Sequence, residues 1–143
     1  MDVLTEALRK RTAMSDEKPR LLVIDDEPMM GTTLDLLLSD EYEVHYCPSV
    51  REALDRLGTD RDFHAILCDL MMPGQSGMDF DAALEAIAPS LRDRLVFMSG
   101  GVYTANARAF VNESNRRLVS KPFDLDVLLG TLRSIGAESA DSI

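Results

Sequence analysis

The sequence predicts an α/β fold, a doubly wound parallel sheet covered by helices on both faces. Three observations carry that expectation. Five short strand-like runs alternate with five stretches of helical periodicity. Most of the runs are apolar nearly throughout, as strands buried on both faces must be. Four of the five stop abruptly at an acidic, hydroxylic or basic residue. In open α/β sheets that carboxyl edge is where ligands bind.

The elements follow in order. "RLLVID" (20–25) reads as the first strand, and Pro28 suits the first turn of a helix through "MMGTTLDLLLSD". "YEVHYC" (42–47) alternates as a second strand. Ser49 with Glu52 three residues on reads as a capping box opening "VREALDRLG", with Gly58 as its stop. "FHAILCD" (63–69) is the third strand, "MMPGQSG" a loop, and "MDFDAALEAIA" a helix ended by Pro89. "RLVFMSG" (94–100) is the fourth strand and "YTANARAFVNE" (103–113) the fourth helix. "RLVS" (117–120) is the fifth strand, and "DLDVLLGTLRSI" the fifth helix, with Asp124 as N-cap. The crossovers should be right-handed. Residues 1–19 read as a short amphipathic helix and a polar linker, 20–135 as one compact domain, and 136–143 as a flexible tail.

Composition narrows the function. The chain of 143 residues carries a net charge of −10. That argues against a nucleic-acid partner, which needs a basic surface, and against an anionic membrane surface. No apolar run approaches the ~20 residues that span a bilayer, and no secretory signal pattern opens the chain. Cys47 and Cys68 form no CxxC and no Cys/His cluster, so buried thiols in a reducing cytoplasm are expected. His45 and His64 are isolated and read as structural. Met29, Met30, Met71 and Met72 read as gap-filling core, as does Phe110.

The strand ends then form a constellation: Asp25 and Asp26 after the first strand, Asp69 after the third, Ser99 after the fourth and Lys121 after the fifth. Carboxylates brought close repel unless a cation relieves them. Several Asp with Ser and Lys, and neither His nor Cys, suit Mg²⁺ and phosphoryl chemistry and do not suit zinc. An Asp carboxylate can itself accept a phosphoryl group as nucleophile. Taken singly, each residue has a plainer reading: a solvated strand-to-helix turn for Asp25, Asp26 and Glu27, a loop cap for Ser99, a surface lysine for Lys121.

In that order, "LLVIDDEP", "ILCDLMMPGQSG", "VFMSG" and "LVSKPF" resemble the receiver domain of bacterial two-component response regulators over roughly residues 20–135. The resemblance implies a flavodoxin-like (βα)5 fold with strand order 2-1-3-4-5. It implies Asp69 as phosphoacceptor, and a Mg²⁺ cofactor held by Asp25, Asp26 (the direct ligand), Asp69 and the main-chain carbonyl of Met71. It also implies Ser99 as the switch hydroxyl, Lys121 as the bridge to the phosphoryl group, and a cis bond before Pro122. The implied partner is a sensor histidine kinase or a histidine phosphotransfer protein, in the cytoplasm, with the chain a monomer or weak dimer. Such a domain catalyses its own phosphorylation and dephosphorylation, and it stands alone or belongs to a larger chain such as a hybrid histidine kinase.

Two positions depart from the family pattern. Leu118 stands where an aromatic residue usually couples to the switch hydroxyl, and Met71 is apolar where relatives are often polar. Leu118 is the support for a second reading, an interaction module that works without phosphorylation. A phosphohydrolase of the aspartyl-phosphate type ranks third, because its general-acid Asp would fall at Met71.

Overall fold

The computed structural model describes residues 18–101 and 104–135. The leader helix, most of the linker, the 136–143 tail and Tyr103 of the fourth helix lie outside them.

Five parallel strands, β1 (Arg20–Ile24), β2 (Glu43–Cys47), β3 (Ala65–Asp69), β4 (Leu95–Ser99) and β5 (Arg117–Ser120), form one sheet in the order β2-β1-β3-β4-β5. This is the flavodoxin-like order, with the reversal of direction beside β1 and β3. Between them run α1 (Pro28–Leu38), α2 (Val50–Leu57), α3 (Gly77–Ile87) and α4 (Ala105–Ser114), and α5 (Leu125–Ser134) follows β5. The register sets Ile24 beside both Cys47 and Cys68, Asp69 beside Met98, and Ser99 beside Ser120, so the carboxyl ends of the strands share one edge.

Strand side chains alternate between faces with period two, and the core divides accordingly. Leu22, Ile24, Ile66, Cys68 and Phe97 pack with Val50, Ala53 and Leu57 of α2, Phe80 and Leu84 of α3 and Ala107 of α4. Leu21, Val23, Leu67, Val96 and Met98 pack with Leu34 and Leu38 of α1 and Leu128 and Leu132 of α5. Helical spacing of three or four residues puts each helix's apolar members on its sheet-facing side.

Local signals explain the helix starts. Ser49 Oγ accepts from the Glu52 N–H at 3.2 Å, and Asp124 caps α5 through the Asp126 and Val127 N–H groups. Ser76 and Asp79, the first of them in a stretch that reads as loop, form a reciprocal capping box at α3. Pro89 does end α3, yet it also opens a 3₁₀ segment, Pro89–Arg94, where a plain connection was expected. Gly58 closes α2 in ordinary right-handed geometry, with φ −63°; the left-handed cap is Asn115 after α4, with φ 55°.

The methionine expectation needs correction. Met29 is 64% exposed and Met71 38% exposed, because both sit at the rim, before or beside the sheet edge, where no layer covers them. Met30 and Met72 are partly buried against the two cores, as is Phe110, whose ring meets Phe97 edge-on. Cys47 and Cys68 are free, buried thiols, and burial pushes both up from the ordinary thiol range. Among the described residues no helix is long and apolar enough to cross a membrane.

Candidate functional site

The sheet edge gathers the strand-end residues into one acidic recess. Asp25, Asp26 and Asp69 can each offer a carboxylate oxygen within 4.8 Å of the others. At that separation and an effective dielectric near 20, each pair of like charges costs about 3–4 kcal/mol. Among the described residues Lys121 supplies the one ammonium in direct contact: its Nζ lies 2.8 Å from Asp25 Oδ2 and 3.4 Å from Asp69 Oδ2. Three carboxylates against one ammonium leave two negative charges uncompensated, which matches one divalent cation.

The groups are held unequally. Asp25 is buried and held at both oxygens: Oδ1 accepts from the Glu27 N–H at 2.9 Å, and Oδ2 accepts from Lys121. Its N–H donates to the Cys47 carbonyl at 3.2 Å, and its carbonyl accepts from the Tyr46 hydroxyl at 2.6 Å. Asp26 is exposed, and among the described residues no hydrogen bond reaches its side chain. Asp69 is buried, with Oδ1 accepting from the Met71 N–H at 3.3 Å. Burial pushes the Asp69 carboxyl up; Lys121 opposes that rise and Asp25 adds to it. Burial works to lower the Lys121 ammonium, but the Asp25 and Asp69 carboxylates outweigh it and raise it. Burial, then the Asp25 and Asp26 charges, push the Tyr46 phenol up, so it stays a neutral donor.

Ser99 is buried at the end of β4, and its Oγ accepts from the Gly101 N–H at 3.4 Å. Its carbonyl accepts from the Lys121 N–H at 2.8 Å, which ties the ends of β4 and β5 together. The Lys121–Pro122 peptide bond is cis. Gly101 takes φ 114°, a conformation that L side chains rarely adopt. Leu118 faces the core partly buried, in register with Phe97. Gly77 lets α3 start against β3: a Cβ there would lie 2.9 Å from the Asp69 carbonyl and 3.0 Å from Leu70 Cα.

All the strand-end residues singled out in the sequence therefore meet at one edge. His45 and His64 lie elsewhere, His45 midway along β2 beside Leu22 and His64 just before β3, at the far end of the sheet. His45 contacts Glu43 and Arg56, and His64 contacts the Leu132 carbonyl. A cleft of about 720 Å³ at that far end, lined by Arg20, Arg61, His64 and Arg94, is remote from the acids. Two participants were missed by sequence reasoning. Tyr46 was read only as an alternating strand residue, and Gly77 only as loop; an isolated aromatic and a glycine beside a strand end were the available signals.

The family model for the response regulator receiver domain matches residues 21–133. The chain belongs to that family. Among curated relatives it is similar to the hydrogenase transcriptional regulatory protein HoxA of Cupriavidus necator, 33% identical over 121 residues, covering 84% of this chain and 24% of that protein. It is also similar to the two-component response regulator ORR3 of Oryza sativa subsp. indica, 29% identical over 108 residues, covering 75% of this chain and 82% of the relative. This receiver domain thus spans about a quarter of HoxA's length. Among solved structures it resembles the signal receiver domain of an HD domain-containing protein from Pseudomonas fluorescens Pf-5. The TM-score is 0.73 at 26% identity, over 88% of this chain and 99% of that one.

Proposed function

We propose that this receiver domain takes a phosphoryl group from a phosphohistidine onto Asp69 and later releases it by hydrolysis. The observation that carries the reading is the recess itself: three carboxylates within 4.8 Å, with Lys121 bridging Asp25 and Asp69 and the recess open on the Asp26 side. An all-oxygen donor set with an exposed member suits Mg²⁺, which keeps several waters and prefers one or two carboxylates. Asp25, Asp26 and Asp69, joined by the Met71 carbonyl, would hold it. Bound there, the ion supplies positive charge that neutralises phosphoryl oxygens.

The chain's own residues do the rest. An Asp69 carboxylate oxygen attacks phosphorus, a P–O bond forms, and the P–N bond to the donor imidazole breaks with its electron pair returning to nitrogen. Lys121, now shared between Asp25 and Asp69, draws toward the phosphoryl oxygens as their charge develops. The Ser99 hydroxyl donates to one of them and pulls the Gly100–Gly101 loop inward. In hydrolysis, water attacks phosphorus, the P–O bond to Asp69 breaks, and inorganic phosphate leaves. Exposed Met71 and the open Gly100 flank that path and set its rate. The donor is a sensor histidine kinase or a phosphotransfer protein in the cytoplasm, and the altered surface is read by a partner.

The test is intact-mass spectrometry after incubation with Mg²⁺ and a small-molecule phosphodonor, sampled at short times. Wild type should gain one phosphoryl group, and neither Asp69→Asn nor wild type in excess chelator should. An unmodified wild type would leave a receiver-shaped module that acts without phosphorylation, with Leu118 as its signature.

A further inference from the structure

We infer that Tyr46 is a positioning residue for the acidic pair: its hydroxyl, with its ring seated on Gly31, fixes the direction in which Asp26 presents its carboxylate. This rests on the reading of the recess as a Mg²⁺ site.

The Tyr46 hydroxyl donates to the Asp25 carbonyl at 2.6 Å across a separation of 21 residues. That carbonyl belongs to the same planar peptide unit as the Asp26 nitrogen. Holding the oxygen therefore holds the plane from which the Asp26 side chain departs. Asp25 has three further restraints, on its N–H and both carboxylate oxygens, whereas among the described residues no hydrogen bond holds the Asp26 side chain. Asp26 takes its direction from its backbone, and the Tyr46 bond fixes that backbone on its amide side.

The ring explains a helical glycine. Gly31 sits buried inside α1, where glycine costs about 1 kcal/mol relative to alanine. A Cβ at Gly31 would lie 2.7 Å from Tyr46 Cγ and 2.8 Å from Cδ1. Those atoms are the root of the ring, not a flexible end, so the ring could not stay where it is. Gly31 and Tyr46 thus form one device, a seat and a clamp, that joins β2 and α1 to the loop carrying the acids.

Two variants test this from opposite sides. Tyr46→Phe removes the hydroxyl and keeps the ring on Gly31. Gly31→Ala keeps the hydroxyl and displaces the ring, while favouring the helix intrinsically. The readout is the Mg²⁺ dissociation constant of the unphosphorylated protein, by calorimetry, with thermal midpoints alongside. Tyr42→Phe, at the far end of β2, is the control for losing a phenol. Loss of an outer partner of a ligand typically weakens a metal site 10–100-fold; because Tyr46 acts through the backbone, about tenfold is expected in both test variants and no change in Tyr42→Phe. At saturating Mg²⁺ the phosphorylation rate of Tyr46→Phe should return to that of wild type. Unchanged Mg²⁺ affinity in Tyr46→Phe, or a loss equal to that of Tyr42→Phe, overturns the inference and leaves the Mg²⁺ reading intact. Wild type that fails to bind Mg²⁺ overturns the reading of the recess, and with it the role given to Tyr46.

Discussion

Asp81 offers the sharpest test of what holds this fold together outside the acidic recess. It is a carboxylate on the buried side of α3, 3% exposed. Its Oδ2 accepts from Arg92 Nη2 at 2.8 Å and its Oδ1 from Arg116 Nε at 2.9 Å. Arg92 belongs to the 3₁₀ segment after α3, and Arg116 immediately precedes β5. One carboxylate therefore pins three stretches of chain together at the side of the sheet that α4 covers thinly, with Ala107 as that helix's one buried residue. Breaking a buried pair costs about 3–5 kcal/mol, because the stranded charge must find new partners. Here the arginines keep side-chain exposures of 26% and 16% and can turn toward water, so the lower end applies, about 3 kcal/mol for Asp81→Ala. With a urea slope of about 1.5 kcal/mol/M for a domain of this size, the midpoint should fall by about 2 M at unchanged slope. A double-mutant cycle with Arg116→Ala should return a coupling of about 1–2 kcal/mol. A midpoint shift under about 0.5 M at unchanged slope would refute the reasoning: the triad would then be an incidental contact whose desolvation cancels its attraction.

Two further outcomes follow from the same geometry. The Arg20 guanidinium, by hydrogen bond, with help from the Asp62 N–H, holds the Asp60 carboxyl at about 2, below its ordinary 3.8. A carboxyl held lower in the folded than in the unfolded chain favours folding above the unfolded value and ceases to do so as pH falls through the folded one. The stability gap between wild type and Asp60→Asn should therefore be full above about pH 4 and vanish by about pH 2; a gap independent of pH across that window, in parallel urea titrations, would count against the pairing. Gly77→Ala would drive a Cβ to 2.9 Å from both the Asp69 carbonyl and Phe97 Cε1. Overpacking of that kind costs about 1–3 kcal/mol, and because the clash displaces β3 backbone the rate of phosphoryl uptake on Asp69 should fall as well. Wild-type stability and wild-type uptake together would show that α3 shifts freely.

Much of the fold and of the recess was legible in sequence because the relevant signals are local. Hydrophobic periodicity switches between two and three-and-a-half residues within a few positions, and a strand's last residue is visible as the polar stop of an apolar run. Ser49 and Asp124 were legible as caps for the same reason: a cap bonds an N–H only two or three residues away. The order of the strands came from resemblance, since nothing within a strand names its neighbour. The exposed Met29 and Met71 were misread because side-chain type reports affinity for the core and not whether a covering layer exists at that place.

By itself, then, the sequence determined the alternation of strand and helix, the polar residue at four of the five strand ends, and so the set of groups that had to meet at the carboxyl edge. The tertiary structure decided how those groups are held. Lys121 reaches Asp25 across 96 residues, Tyr46 clamps the Asp25 carbonyl across 21, and Asp81 binds Arg92 and Arg116 across 11 and 35. Each of these depends on strand register and on the depth at which a helix seats against the sheet. Those are set by packing many side chains at once, and no local stretch of sequence carries them.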